Sequence, residues 1–102
     1  MSNPLATTKN IGFLVFQERV TIVNQRGLHA RAAAKFAQLA EQFDADINVE
    51  ASGLKVSALS IMGLMMLAAG PGTEISISSD GREAEAGLAS LVTLVNSRFD
   101  EE

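Results

Sequence analysis

The order of strand and helix patterns constrains the fold of this 102-residue chain more than any other feature. Segments in which every second residue is apolar alternate with segments that repeat at helical spacing. We predict strands at about 18–23, 47–50, 54–57 and 74–78, and helices at about 30–42, 60–69 and 82–97. The chain order β-α-β-β-α-β-α predicts an α+β fold, a two-layer open-faced sandwich. Its four-stranded antiparallel sheet carries three helices on one face and leaves the other face to solvent.

The length suits a single domain with one core, and no repeat or low-complexity linker divides the chain. We expect residues 1–16 to be an N-terminal extension, partly disordered, and residues 17–102 to form the folded domain. The same element order fits a ferredoxin-like βαββαβ domain with one extra helix. That fold hosts many unrelated functions, so topology leaves the function open.

Composition excludes several classes of site. The chain has no cysteine and one histidine, which excludes disulfides, thiol catalysis and cysteine zinc sites and argues against a histidine metal site. We therefore expect no cofactor and no metal. A net charge of −4 and the absence of Trp and Tyr argue against nucleic acid as a partner. No apolar run approaches the ~20 residues of a membrane helix, and no signal-peptide pattern is present, so we expect a cytoplasmic protein.

The only histidine, His29, follows Gly27 and directly precedes the helix predicted at about 30–42. The first N–H groups of a helix are unpaired and carry partial positive charge, so they hold anions. Arg31 adds a permanent cation two residues after the ring. The arrangement suits a histidine that carries a phosphoryl group, although a lone histidine at a helix start is also a common capping or surface residue.

The second helix, predicted at about 60–69, is apolar almost all round. One face can be buried, with Leu64 and Leu67 inward, but Met62 and Met65 cannot also be buried there. An exposed methionine patch suits docking with several partners, whereas methionine is also a common core filler. Ser60 has the position of an N-cap, and a phosphate on it would set negative charge beside this patch.

Two motifs together give a specific resemblance. The segments Gly27–Arg31 and Ser60–Met65, at this separation, resemble the HPr family, the histidine-containing phosphocarriers of bacterial phosphotransferase systems. The resemblance extends over about residues 17–99 and includes the β-α-β-β-α-β-α order.

The resemblance implies a covalent shuttle and not an independent enzyme. His29 would accept a phosphoryl group on Nδ1 from an enzyme I-type protein, charged by phosphoenolpyruvate, and pass it to an enzyme IIA-type protein. Arg31 and the N–H groups of Ala30 and Arg31 would bind the phosphate. Ser60 would be a regulatory phosphorylation site for an HPr serine kinase/phosphorylase, where the cell has one. Docking would use Gly27, Ile61, Met62 and Met65, on a protein expected to be a monomer.

One departure from the family pattern points to a branch. Ala32 stands where the family motif usually has proline, which the first turn of a helix tolerates because no N–H is needed there. Alanine at this place, with the later Met-Met-Leu-Ala-Ala run, is similar to the nitrogen-related branch, the NPr-like proteins of alphaproteobacteria. The alternative is an HPr-like or ferredoxin-like regulatory binding module that docks without phosphotransfer.

Overall fold

Five strands and three α-helices form within residues 8–101, the part of the chain that this computed structural model describes. In chain order they are β1 (Lys9–Gly12), β2 (Val15–Thr21), α1 (Ala30–Ala40), β3 (Asp46–Ala51), β4 (Leu54–Ser57), α2 (Ile61–Met66), β5 (Glu74–Asp80) and α3 (Ala84–Asn96), followed by a 3-10 turn (Arg98–Asp100). The strands join one sheet in the order β1-β2-β5-β3-β4, and every neighbouring pair is antiparallel.

The predicted four-stranded sheet is therefore wrong by one strand. The extra strand, β1, pairs with the free edge of β2 through a register that places Lys9 opposite Gln17 and Asn10 opposite Phe16. Its segment contains only one strongly β-favouring residue, Ile11, so the pattern did not predict a strand. The connecting turn at Phe13 and Leu14 also lacks the Asn-Gly or Gly-rich signature of a tight hairpin.

The two faces of the sheet differ as the alternation predicts. Ile47 and Val49 on β3 and Ile75 and Ile77 on β5 point inward and are fully or almost fully buried. The helices cover this face, and the core includes Phe36 of α1. The apolar residues at helical spacing in the helix predicted at about 30–42 form the buried face of α1, with Ala33, Phe36, Ala37 and Ala40 buried and Phe43, beyond the helix, half-buried. The α+β architecture with helices on one face is confirmed.

Helix α2 is shorter than the predicted 60–69. It ends at Met66 because Ala68 adopts a left-handed conformation, with φ 52°, which stops the helical hydrogen-bond pattern. Leu64 and Leu67 are buried as expected, and Ala69 is buried beyond the helix. The early end turns the chain back toward the start of α1, where the histidine lies.

The predicted boundary between residues 16 and 17 stays a prediction. Residues 9–16 contribute β1 and the first residues of β2, while residues 1–7 and 102 lie outside the described residues. Within the described range, no helix has the length and apolar character needed to cross a membrane.

Candidate functional site

His29 is the N-cap residue of α1. Its backbone is extended, with φ −73° and ψ 177°, and its carbonyl accepts from the N–H of Ala33 at 2.8 Å, which starts the helix. The ring folds back over the first turn, where Nδ1 accepts a hydrogen bond from the Arg31 N–H at 3.3 Å. A ring nitrogen thus occupies the place that a capping oxygen usually takes, facing the positive end of the helix.

The turn before His29 is held against the loop that follows α2. The Leu28 N–H donates to the Ala69 carbonyl at 2.9 Å, and Gly27 has a φ of +66°. A Cβ on Gly27 would lie 2.4 Å from that carbonyl oxygen and 2.9 Å from the Cα of Gly70. Glycine is therefore a packing requirement of this chain, and the docking role predicted for Gly27 stays a prediction.

Asn24 stabilises the same turn through hydrogen bonds of its backbone and its side chain. It is almost fully buried, its carbonyl accepts from the Gly27 N–H at 3.2 Å, and its Nδ2 donates to the Gly27 carbonyl at 2.8 Å. These bonds close a short loop between Asn24 and Gly27, so that the backbone entering His29 has one defined direction.

Glu101 reaches the ring from the far end of the chain. Its Oε2 is in hydrogen-bonding contact with Nε2 of His29, and its Oε1 accepts from Asn24 Nδ2 at 3.1 Å. The hydrogen bond with His29 lowers the pKa of the Glu101 carboxyl below its ordinary value of 4.5, against the opposing effect of partial burial. Only 14% of the His29 side chain remains exposed.

A mixed-charge cleft of about 400 Å³ lies beside Glu101, the hydrogen-bonding partner of the ring, and beside the first turns of α1. Its lining includes Arg26, Arg31 and Lys35 as cations, with Gln25, Asp100 and Glu101. Arg31 is exposed in the first turn of α1. Lys35 Nζ donates a hydrogen bond to the Phe99 carbonyl at 2.7 Å, so this ammonium group already has a partner within the protein. Arg26 and Arg31 are therefore the cations placed to meet an anion at the ring.

Ser60 caps α2 as its position predicts. Its Oγ accepts from the Gly63 N–H at 2.9 Å, and its backbone is extended. A Cβ on Gly63 would approach both Ser60 Oγ and Val56 Cβ to 3.0 Å, so the small residue keeps the cap close to β4. The capping role of Ser60 is confirmed, and its regulatory role stays a prediction.

Helix α2 exposes the apolar surplus that the sequence predicts. The exposed fractions are 75% for Met62, 43% for Met65 and 41% for Ile61. We call these residues, together with Leu59 and Met66, the α2 patch. The chain following α2 reaches the ring, because Ala68, Ala69 and Gly70 line a shallow depression of about 240 Å³ with His29. Three of the four predicted docking residues, Ile61, Met62 and Met65, are thus exposed on one helix whose C-terminal continuation borders the histidine.

Sequence reasoning missed Asn24 and Glu101. The residues from Asn24 to Gly27 do predict a turn, but a turn signal does not indicate that the Asn24 side chain binds a distant carboxylate. Glu101 carries no local signal, since it lies 72 residues from His29 and reaches the ring only through the tertiary fold.

The geometry suits reversible attachment of an anion to the ring. Nδ1 faces the backbone N–H of Arg31 at the start of the helix, and the guanidinium of Arg31 lies in the same turn. Among residues 8–101 no group of three His, Cys, Asp or Glu side chains is placed to hold a metal ion.

Known proteins match both the sequence and the fold. A family model described as "PTS HPr component phosphorylation site" matches residues 16–97. Phosphocarrier protein NPr of Shewanella violacea is 46% identical over 85 residues, which cover 83% of this chain and 93% of the relative. Phosphocarrier protein HPr of Cupriavidus necator is 42% identical over 87 residues, which cover 85% of this chain and 98% of the relative.

The fold match agrees with the sequence match. The crystal structure of HPr-C-His from Thermoanaerobacter tengcongensis superimposes with a TM-score of 0.81 at 42% identity, over 84% of this chain and 97% of that one. The ferredoxin-like alternative is therefore set aside, and the similarity to NPr supports the nitrogen-related branch. The chain belongs to the HPr family, the phosphocarrier proteins of the bacterial phosphotransferase system.

Proposed function

We propose that this protein carries its phosphoryl group on Nδ1 of His29. The observation that carries the proposal is the placement of Nδ1 at the N-terminus of α1, 3.3 Å from the Arg31 N–H. A phosphoryl group bonded to Nδ1 would displace this contact and present its oxygens to the first N–H groups of the helix, those of Ala30 and Arg31. Phosphoryl transfer depends mainly on positioning and charge stabilisation, which these groups supply.

The proposed donor is an enzyme I-type protein charged by phosphoenolpyruvate, and the proposed acceptor is an enzyme IIA-type protein. The phosphorus–nitrogen bond of the donor histidine breaks as the bond to His29 Nδ1 forms, and the second transfer repeats this exchange with the acceptor. The protein acts as a monomeric cytoplasmic carrier rather than as an independent enzyme. The site offers the anion the Arg31 guanidinium, with Arg26 in the same cleft, and a few N–H groups, which suits transfer in both directions.

The test is incubation with enzyme I and phosphoenolpyruvate, followed by intact mass measurement. The wild-type protein should gain one phosphate that is labile in acid and stable in base, as a phosphoramidate is. His29→Ala should gain none, while Ser60→Ala serves as the matched control and should still be phosphorylated. A His29→Ala protein that gains the acid-labile phosphate would disprove the assignment. A wild-type protein that binds enzyme I yet takes no phosphate would instead identify a binding module.

A further inference from the structure

The chain after α3 passes through a turn of unusual conformation. Three consecutive residues, Arg98, Phe99 and Asp100, have φ values of 60°, 54° and 61°. L-residues rarely adopt this left-handed conformation, and a run of three persists only where the surrounding contacts impose it. Such strain is a reason to ask what the turn positions.

Contacts on both sides impose the turn. The Phe99 side chain is fully buried in the core, and its carbonyl accepts from Lys35 Nζ at 2.7 Å. Within the turn, the Asp100 N–H donates to the Ser97 carbonyl at 3.0 Å and the Glu101 N–H to the Arg98 carbonyl at 2.9 Å. The turn therefore holds the next side chain, that of Glu101, at a defined position over the start of α1.

Both carboxylate oxygens of Glu101 are used there. One contacts Nε2 of His29, and the other accepts from the amide of Asn24, which is itself buried and bonded to the Gly27 carbonyl. Asn24 thus fixes the orientation of the carboxylate as well as that of the turn before the histidine. The side chain of Glu101 is only 22% exposed, so solvent competes little for this contact.

The two hydrogen bonds of the His29 ring require the same tautomer. An ionised carboxylate only accepts hydrogen bonds, so the Nε2 that contacts Glu101 must carry a hydrogen. Nδ1 accepts from the Arg31 N–H and must carry the lone pair. A neutral imidazole with the hydrogen on Nε2 meets both requirements at once, and its free lone pair lies on the nitrogen that faces the helix N-terminus.

We propose that Glu101, oriented by Asn24, is a positioning residue that holds the His29 ring in the Nε2–H tautomer with the Nδ1 lone pair toward the N-terminus of α1. This inference rests on the proposed role of His29 as phosphoacceptor. In the transfer, Nδ1 donates its lone pair to phosphorus, the donor nitrogen recovers the pair of the breaking bond, and the Nε2 hydrogen stays in place. The ring then gains positive charge, which the carboxylate at Nε2 stabilises.

The ring tautomer can be observed directly, because His29 is the only histidine in the chain. Nitrogen-15 NMR of the neutral ring should show the Nε2–H tautomer in the wild-type protein. In Glu101→Ala the shifts of the two ring nitrogens should move toward each other as both tautomers become populated. The initial rate of phosphorylation by enzyme I should fall by about tenfold, at the low end of what losing a histidine's carboxylate partner costs elsewhere.

Two further variants separate the ring contact from general effects. Glu101→Gln keeps an oxygen that can accept from Nε2–H, so it should restore the tautomer and part of the rate. Glu50→Gln makes the same substitution at an exposed residue of β3, away from the cleft that Glu101 lines. It should leave the ring spectrum and the rate unchanged.

The outcomes distinguish this inference from the function on which it rests. A Glu101→Ala protein that melts normally and keeps both the wild-type ring spectrum and the wild-type rate overturns the role of Glu101. A Glu101→Ala protein phosphorylated faster than wild type also overturns it, since the carboxylate would then act by repelling the incoming group. A wild-type protein that shows the Nε2–H tautomer but accepts no phosphate overturns the proposed phosphoacceptor and leaves the ring assignment standing.

Discussion

The Leu28 N–H donates to the Ala69 carbonyl at 2.9 Å, and this bond joins the turn that carries the histidine to the loop that leaves α2. The same carbonyl leaves no room for a side chain on Gly27, where a Cβ would lie 2.4 Å from its oxygen. The path of the chain into His29 and the path out of α2 are therefore one packing unit.

Gly27→Ala should be more destabilising than Gly53→Ala. Both glycines have positive φ, at 66° and 81°, but a Cβ on Gly53 meets nothing within 4 Å. The Gly53 variant therefore measures the conformational cost alone, while Gly27→Ala adds overpacking of about 1–3 kcal/mol. Urea unfolding of the two variants makes the comparison, and equal losses would show that the contact with Ala69 relaxes freely.

Arg31→Ala should slow phosphoryl transfer with little effect on folding. The side chain is exposed, so the free energy of unfolding should change by no more than about 0.5 kcal/mol. Removing the guanidinium takes away one of the two arginine cations, Arg26 and Arg31, that line the cleft beside the predicted phosphate. Arg82→Ala is the matched control, because Arg82 is also exposed but lies just before α3. The N–H of the next residue, Glu83, donates to the Asp44 carbonyl, which lies beyond the C-terminal end of α1, whereas His29 lies at the N-terminal end. If Arg31→Ala accepts and passes on the phosphoryl group at wild-type rates, Arg31 has no role in the transfer.

Met62→Asp should weaken binding to enzyme I and to the enzyme IIA-type acceptor together. Both partners must reach the same ring, and Met62 is the most exposed residue of the α2 patch. Buried apolar anchors can each account for about 2 kcal/mol or more of binding. Phe13→Asp is the control, because Phe13 is 91% exposed but lies in the β1–β2 turn, near the opposite end of β2 from His29. Chemical-shift changes with either partner confined to the open face of the sheet would contradict the docking assignment.

Ser60→Asp should inhibit phosphorylation of His29 without unfolding the domain. Negative charge is favoured at a helix N-terminus, so the cost should fall on docking at the neighbouring α2 patch. Ser60→Ala should lose about 1 kcal/mol of stability with the cap to Gly63, yet remain a competent carrier. Enzyme I-dependent phosphorylation rates and thermal melts of the three proteins make the comparison. An aspartate variant that melts normally and reacts as fast as wild type would leave Ser60 a cap alone.

The contribution of Glu101 to stability should disappear in acid. Its carboxyl has a lowered pKa because His29 hydrogen-bonds to it, so the ionised form is favoured in the folded state. The stabilisation is therefore fully present above the ordinary value of 4.5 and is lost as pH falls through the lowered pKa. Urea unfolding of wild type and Glu101→Gln should differ near neutral pH and converge in acid. A difference that stays constant down to about pH 2 would contradict this linkage.

Much of the fold could be predicted because its signals are local. Alternation at Ile47 and Val49 predicted a half-buried strand, and the helical stripe that includes Phe36 predicted the buried face of α1. The strand at Lys9–Gly12 could not be predicted, since its stability comes from hydrogen bonds to the edge of β2 rather than from its own side chains. The early end of α2 likewise depended on the left-handed conformation of Ala68, which an alanine in an apolar run does not indicate.

The candidate site divides in the same way. The sequence by itself determined that a lone imidazole caps a helix, that Arg31 follows in its first turn, and that Ser60 caps a helix with too many apolar residues to bury. Only the tertiary structure decided what lies on the other side of the ring. Glu101 meets His29 because a buried Phe99 and a strained turn bring the end of the chain back across α1. A contact between residues 72 positions apart leaves no periodicity or spacing in the sequence, so it depends on the packed core alone.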